Sequence, residues 1–322
     1  MPDSNLTSLF APASSSAEQR DDRPSGRTVD VLDALDDQLD EAPRRSAHLG
    51  VDLSDAGARA GAWRAVGSES PRLFDGQRLQ ELVATAQRGV LDFALFDDSF
   101  SLQPTRNTTL RGRLDAALVA SRLAPRSAGI GLVATVDTTH TEPFHVSKAI
   151  ATIDHVSGGR AAWQVGWSTT EAGAALFGRK GAQATADAVA EAEEAIEVVS
   201  RLWDSWEDDA EIRDVASGRF VDRDKLHYVD YDGVRFAVKG PSITPRSPQA
   251  QPPVVVRGDS AEALALAGRR ADVVRVRATT LDGARALRDQ VRAAAAEAGR
   301  NPDDLRVLVD VYAVIGQDRA SA

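Results

Sequence analysis

The sequence predicts an α/β fold of the TIM type, a (β/α)8 barrel in which the last βα unit is missing from the pattern. Three observations point there. From about residue 47 onward, apolar runs of strand length alternate with amphipathic runs of helix length, the pattern of parallel βαβ units. The strand candidates number seven, more than a five- or six-stranded open sheet uses. Most of these runs end in a cluster of Asp, Ser, Thr or Gly, the residue types that open a following helix.

Residues 1–46 are rich in Ser, Pro, Asp and Arg and read as a disordered tail; the runner-up is one short docked helix at 28–41. The barrel is expected over 47–318, with 319–322 as its end. Leu49–Leu53 is the first strand. Leu73–Arg88 has helical spacing at Leu79, Leu82, Val83 and Ala86, and Leu91–Phe96 is a second strand. Leu110–Leu123 is a helix, and Gly129–Val136 is an unbroken buried strand. Pro143–Val156 is a helix with Pro in its first turn and Gly158-Gly159 beyond its end. Ala161–Val165 is the fourth strand, and Ala186–Trp206 is a long amphipathic helix. Charge, Gly and Pro break the rhythm over 207–250, which reads as an insertion placed to act as a lid. Pro253–Val256, Asp272–Val276 and Leu305–Ile315 are the remaining strands, with helices at Ala261–Arg270 and Leu281–Ala298.

Composition narrows the function classes. Apolar residues make up 43% and charged residues 27%, enough for a sizeable core. With 48 acidic and 38 basic residues the net charge is −10, a field that repels phosphate backbones, so no nucleic-acid partner is expected. Cysteine is absent, which removes disulfides and thiolate chemistry. No apolar run reaches the ~18 residues of a membrane helix, and the Ser-rich start is unlike a secretory signal. A cytoplasmic protein with no membrane partner is the expectation.

In such a barrel, chemistry sits at the C-terminal ends of the strands. The polar residues there are Asp97, Asp98 and Ser99, then Thr135, Asp137, Thr138, Thr139 and His140. Gln164, Trp167 and Ser168 follow the fourth strand, and Gly258, Asp259 and Ser260 the fifth. The bland reading of each is a helix cap. His145 and His155 lie ten residues, about 15 Å, apart along one helix, and no HExxH appears, so no metal site is expected. Gly129-Ile-Gly131-Leu-Val-Ala134 matches a dinucleotide fingerprint in letters only, because its glycines open a strand rather than a strand-to-helix turn.

The stretch Ala134-Thr-Val-Asp-Thr-Thr-His-Thr-Glu-Pro-Phe-His145, then Ile153-Asp-His-Val-Ser-Gly-Gly-Arg-Ala-Ala-Trp-Gln164, resembles the bacterial luciferase-like flavin monooxygenases. The branch is that of the nitrilotriacetate, pristinamycin and dibenzothiophene-sulfone enzymes. Leu202-Trp-Asp-Ser-Trp-Glu-Asp-Asp-Ala210 and Gly258-Asp-Ser260 agree with it. The resemblance implies a barrel that binds reduced FMN (FMNH2) delivered by a separate NAD(P)H-flavin reductase, and that uses O2 to oxidise a small organic substrate. It also implies a homodimer. Carried across by position, it implies cofactor contacts from Asp98, Thr135, Thr138, Gln164, Ser168, Gly258 and Ser260. His140 is read as the catalytic residue, a substrate-side acid or hydrogen-bond donor.

Departures from the family pattern accompany these matches. Thr185 and Val189 stand where a His and a Tyr reach the phosphate, Trp167 replaces a Thr, and Asp259 brings charge towards the phosphate turn. They motivate the alternative reading: a non-catalytic barrel acting as a partner or regulatory subunit.

Overall fold

The computed structural model describes residues 47–54, 56–57, 61–65, 67–101 and 112–313. The tail expected over 1–46, the end at 319–322 and the first residues of the helix expected at 110 lie outside them.

Seven parallel strands form one sheet: β1 (Gly50–Asp52), β2 (Phe93–Phe96), β3 (Gly131–Asp137), β4 (Ala161–Gly166), then the strands Val254–Arg257, Val273–Arg277 and Arg306–Asp310. Helices α1 (Gly76–Arg88), α2 (Ala116–Leu123) and α3 (Pro143–Ser157) cross between the first four strands. A short α4 (Glu171–Ala175) and the long α5 (Thr185–Trp203) follow. The chain then makes two small antiparallel hairpins, β5 (Glu211–Asp214) with β6 (Arg219–Val221) and β7 (Tyr231–Asp232) with β8 (Ala237–Val238). It returns as β9 (Val254–Arg257), α6 (Ala261–Arg270), β10 (Val273–Arg277), α7 (Leu281–Glu297) and β11 (Arg306–Asp310). The spatial order is β1-β2-β3-β4-β9-β10-β11, so β4 and β9 are direct neighbours. The two edges, β1 and β11, do not pair with each other among the described residues.

Local signals set the helix ends. Asp75, Asp115, Ser260 and Thr280 each accept a first-turn amide as side-chain N-caps. Gly158 ends α3 in the left-handed region at φ 67°, where a Cβ would be strained. The elements α4, β5, β6, β7 and β8 are too short to carry a periodicity, and sequence reading passes over them.

The sheet curls around an inner core and wears an outer one. Phe93, Leu95, Val133, Ala162, Val255 and Val273, with Leu308 packed on them, fill the lumen. Ala94, Phe96, Leu132, Ala134, Trp163, Val165, Val254, Val256, Val274 and Val276 face the helices. Both faces of β2, β3, β4 and β9 are buried almost throughout, which is why these strands read as near-continuous apolar runs. Trp163 is fully buried, meets Trp203 edge-on at 6.4 Å, and donates its indole N–H to the Val136 carbonyl at 3.2 Å.

The base of the sheet, where strands begin, is stapled by the Ser157–Arg160 segment. The Arg160 guanidinium donates to the carbonyls of Ala124, Ser127, Ile130 and Ser157 at 2.6–3.0 Å and to the Ser127 hydroxyl at 3.1 Å. Beside it the Asp154 carboxylate accepts the Gln249 amide at 2.9 Å, the Gln249 side chain at 2.5 Å and the Ala161 amide at 3.3 Å. The 207–250 excursion is rooted here too: Ser242 donates its amide to Ser205 Oγ, and Trp206 donates to the Ser242 carbonyl at 2.7 Å. From that root Arg235 and Phe236 bind Glu194 on α5. The excursion is therefore a brace along α5. The lid expected from sequence would have to reach over the strand ends, and these contacts lead along the helix instead.

Candidate functional site

Strand parity decides what points into the mouth. On β2 the lumen residues are Phe93 and Leu95, so the next inward position is Asp97. The same step of two leads from Val133 to Thr135 and Asp137, from Ala162 to Gln164, and from Val255 to Arg257. It leads from Val273 to Arg275 and from Leu308 to Asp310. Every sheet strand from β2 to β11 thus delivers a polar group to one layer above the apolar lumen.

That layer is a connected belt. Gln164 Nε2 donates to Thr135 Oγ1 at 2.8 Å and to Asp97 Oδ1 at 3.3 Å, and Thr135 donates to Asp97 Oδ1 at 3.2 Å. Arg275 Nη1 donates to Gln164 Oε1 at 2.8 Å. Its Nε and Nη2 grip Asp310 at 2.9 and 3.0 Å. Arg257 lies between Asp97, at 3.5 Å, and Asp259, at 3.1 Å. Burial works against the Arg275 charge, but Asp310, Asp52 and Asp97 outweigh it and raise its pKa, so it stays protonated.

The residues singled out in the sequence divide between this belt and the loops around it. Thr135 and Gln164 sit in the belt, both buried. Thr138 is buried one loop higher, its hydroxyl on the Gly166 carbonyl at 3.0 Å. Ser168 donates to Asp137 Oδ2 at 2.6 Å and takes its own amide to Thr139 Oγ1 at 2.9 Å, which locks the β3 and β4 loops together. Asp98 steps outward: its carboxylate accepts the amides of Ser99 at 2.7 Å and Ala116 at 3.2 Å, at the start of α2. Burial raises its pKa against those two hydrogen bonds. Gly258 packs under Leu264, where a Cβ would stand 2.5 Å from Leu264 Cδ2, and Ser260 caps α6 by accepting the Ala263 amide at 3.2 Å.

His140 lies outside the belt, on the rim. Its ring stacks on Phe177 at 4.5 Å with an interplanar angle of 13°, and Phe100 closes the group at 6.1 Å. Burial lowers its pKa, only partly opposed by the Asp137 carboxylate, so at neutral pH the imidazole is uncharged. It can donate or accept a hydrogen bond there. Asp137 is itself raised by burial.

The departures find definite places. Trp167 packs against the helix-side core. Val189 is buried in that core, while Thr185 opens α5. Asp259 does not stand alone, since Arg257 offsets its charge. The belt members that sequence reading did not single out as ligands are Asp97, Arg257, Arg275 and Asp310. One signal was available for Arg275: Val274-Arg-Val-Arg277 alternates where the other barrel strands do not. Among the described residues no three His, Cys, Asp or Glu converge to hold a metal, and no helix is long and apolar enough to cross a membrane.

Known proteins align along nearly all of this architecture. A family model described as luciferase-like monooxygenase matches residues 56–322. The chain is 34% identical over 279 residues to N-acetyl-S-(2-succino)cysteine monooxygenase of Bacillus subtilis (strain 168), covering 87% of this chain and 63% of that one. It is 35% identical over 290 residues to nitrilotriacetate monooxygenase component A of Aminobacter aminovorans, covering 86% and 64%. The EDTA monooxygenase structure from Chelativorans sp. BNC1 superposes with a TM-score of 0.78 at 26% identity, over 86% of this chain and 66% of that chain. The chain thus spans just under two thirds of the length of these relatives.

Proposed function

The chain belongs to the luciferase-like monooxygenase family, and from that premise we propose that it works as an FMNH2-dependent monooxygenase. It takes reduced flavin from a separate NAD(P)H-flavin reductase and uses O2 to oxidise a small organic substrate. Its seven-stranded sheet is read as a TIM-type barrel short of one βα unit over these residues. The observation that carries the proposal is the belt itself: side chains from six neighbouring strands meet in one polar layer above an apolar lumen.

In this reading a flat heterocycle lies with its polar edge on that layer. Thr135, Asp97 and Arg257 present donors and acceptors to its edge, and the apolar lumen lies below. A phosphate monoester would be met by the N-terminus of α6, capped by Ser260, with the Arg257 guanidinium next to it. When bound, the flavin supplies the activation of O2. The protein's own task is to orient the ring, keep water from it and hold the substrate at the rim. There His140, uncharged at neutral pH, donates or accepts one hydrogen bond between Phe100 and Phe177.

The second reading, a non-catalytic partner subunit, draws on Val189: it is buried in the helix-side core, so the α5 start brings no ring to a phosphate. One experiment separates the two. The purified protein is titrated with oxidised and with reduced FMN, and flavin fluorescence is followed. Saturable binding, then substrate-dependent O2 uptake with a flavin reductase present, is the expected result. No binding of either form at about 0.5 mM, a free energy weaker than about 4.5 kcal/mol, would overturn the enzymatic reading in favour of the partner reading.

A further inference from the structure

We infer that Arg275 is the positioning residue of the mouth: it holds the Gln164 carboxamide in one orientation and links β1 with β11, the edge strands of the sheet among the described residues. The side chain is 11% exposed. From β10 it reaches β4 through Gln164, β11 through a two-pronged contact with Asp310, and β1 through Asp52 at 3.4 Å. β11 and β1 are the sheet edges that do not hydrogen-bond to each other among the described residues. One guanidinium therefore spans the seam.

The consequence for Gln164 follows from donor counting. A carboxamide offers two N–H donors and one carbonyl oxygen. Here both donors face Thr135 and Asp97, and the oxygen faces Arg275. The amide is spoken for at both ends, so Gln164 serves by placing Thr135 and Asp97 rather than by meeting a ligand with a free donor. Rotating it by half a turn would set its oxygen against the Asp97 carboxylate and its N–H groups against a cation. Arg275 and Asp97 thus select one orientation from opposite sides. A lysine at 275 is a point charge without a planar fork, so it loses the two-pronged grip on Asp310 that fixes the direction of the donor to Gln164.

This inference rests on the flavin reading only for its second readout. The first is independent of any ligand: the side-chain amide protons of Gln164, followed by NMR in the parental protein and in Arg275→Met. Arg275→Lys and Asp310→Asn serve as milder variants, should the methionine form not fold. The expected result is protection from exchange in the parental protein and its loss in the 275 variants. The second readout is FMN affinity. Arg275→Met is expected to weaken it about tenfold, and to change it less than about twofold in a Gln164→Ala background, since the effect travels through Gln164. An unchanged Gln164 amide overturns the inference whatever the flavin does. So does a released amide with unaltered affinity in a parental protein that binds FMN. A released amide in a parental protein that binds no flavin upholds the positioning role, and it is the flavin reading that falls.

Discussion

Two arginines, Arg160 at the base and Arg275 at the mouth, anchor buried polar clusters at opposite ends of one sheet, and they spend their hydrogen bonds differently. Arg160 donates almost wholly to backbone carbonyls, and its neighbour Asp154 receives two backbone amides and one glutamine. Arg275 donates only to side chains, as do Gln164 and Thr135 around it. A cluster that consumes main-chain groups fixes the path of the chain and is finished when the chain is folded. One built of side chains on six strands constrains the chain less and leaves polar groups towards an opening. The base is architecture; the mouth is where a ligand has something to meet.

This contrast can be broken most decisively at the base. Arg160→Met leaves four carbonyls without their donor and is expected to cost about 3–5 kcal/mol in urea unfolding, with FMN affinity of the folded fraction unchanged. If it unfolds the protein no more than a mouth variant does, the distinction fails. Gln164→Ala should show the opposite profile: a loss of about 1–2 kcal/mol in stability but a fall in FMN affinity of about tenfold.

A finer test lies at the α6 N-terminus. Ser260→Ala removes one cap and should lower stability by about 1 kcal/mol, while weakening FMN more than riboflavin if the phosphate sits there. The smallest effect is expected at the rim. The folded pKa of His140 is lowered, so its contribution to stability is present above the ordinary histidine value of about 6.5 and is lost as pH falls through the folded value. His140→Phe should leave stability at pH 7.5 nearly unchanged and flatten the decline below pH 6.5, read by thermal unfolding across that range.

Most of the fold was legible in the sequence. The strands announce themselves as unbroken apolar runs because helices cover one face and the lumen the other. That same burial hides the phase of each strand. Phe93-Ala-Leu-Phe96 is buried at every position, so nothing in the letters tells which of Asp97 and Asp98 turns inward. Similarity to the family favoured Asp98, whereas the strand's parity carries Asp97 to the belt. Ser157-Gly-Gly-Arg160 shows the converse. It is among the most recognisable blocks of the sequence, yet its arginine braces the base, and only the pattern's end, Gln164, reaches the mouth. Thr135 and Gln164 were readable through their match to the family pattern, and both prove to be buried polar residues inside apolar strands. Arg257 and Asp310 were not, since each ends its strand, where a charge is ordinary.

The 207–250 excursion leaves the base after α5 and re-enters it before β9, with Trp206, Ser242 and Gln249 pinning both roots. β4 and β9 are already adjacent lanes of the sheet, so the length of this detour is decoupled from strand register. The tip of its β5–β6 hairpin, Ala216–Gly218, is exposed. A foreign module grafted at that tip would hang clear of the barrel, making the excursion a natural graft point for tethering a second protein to this one.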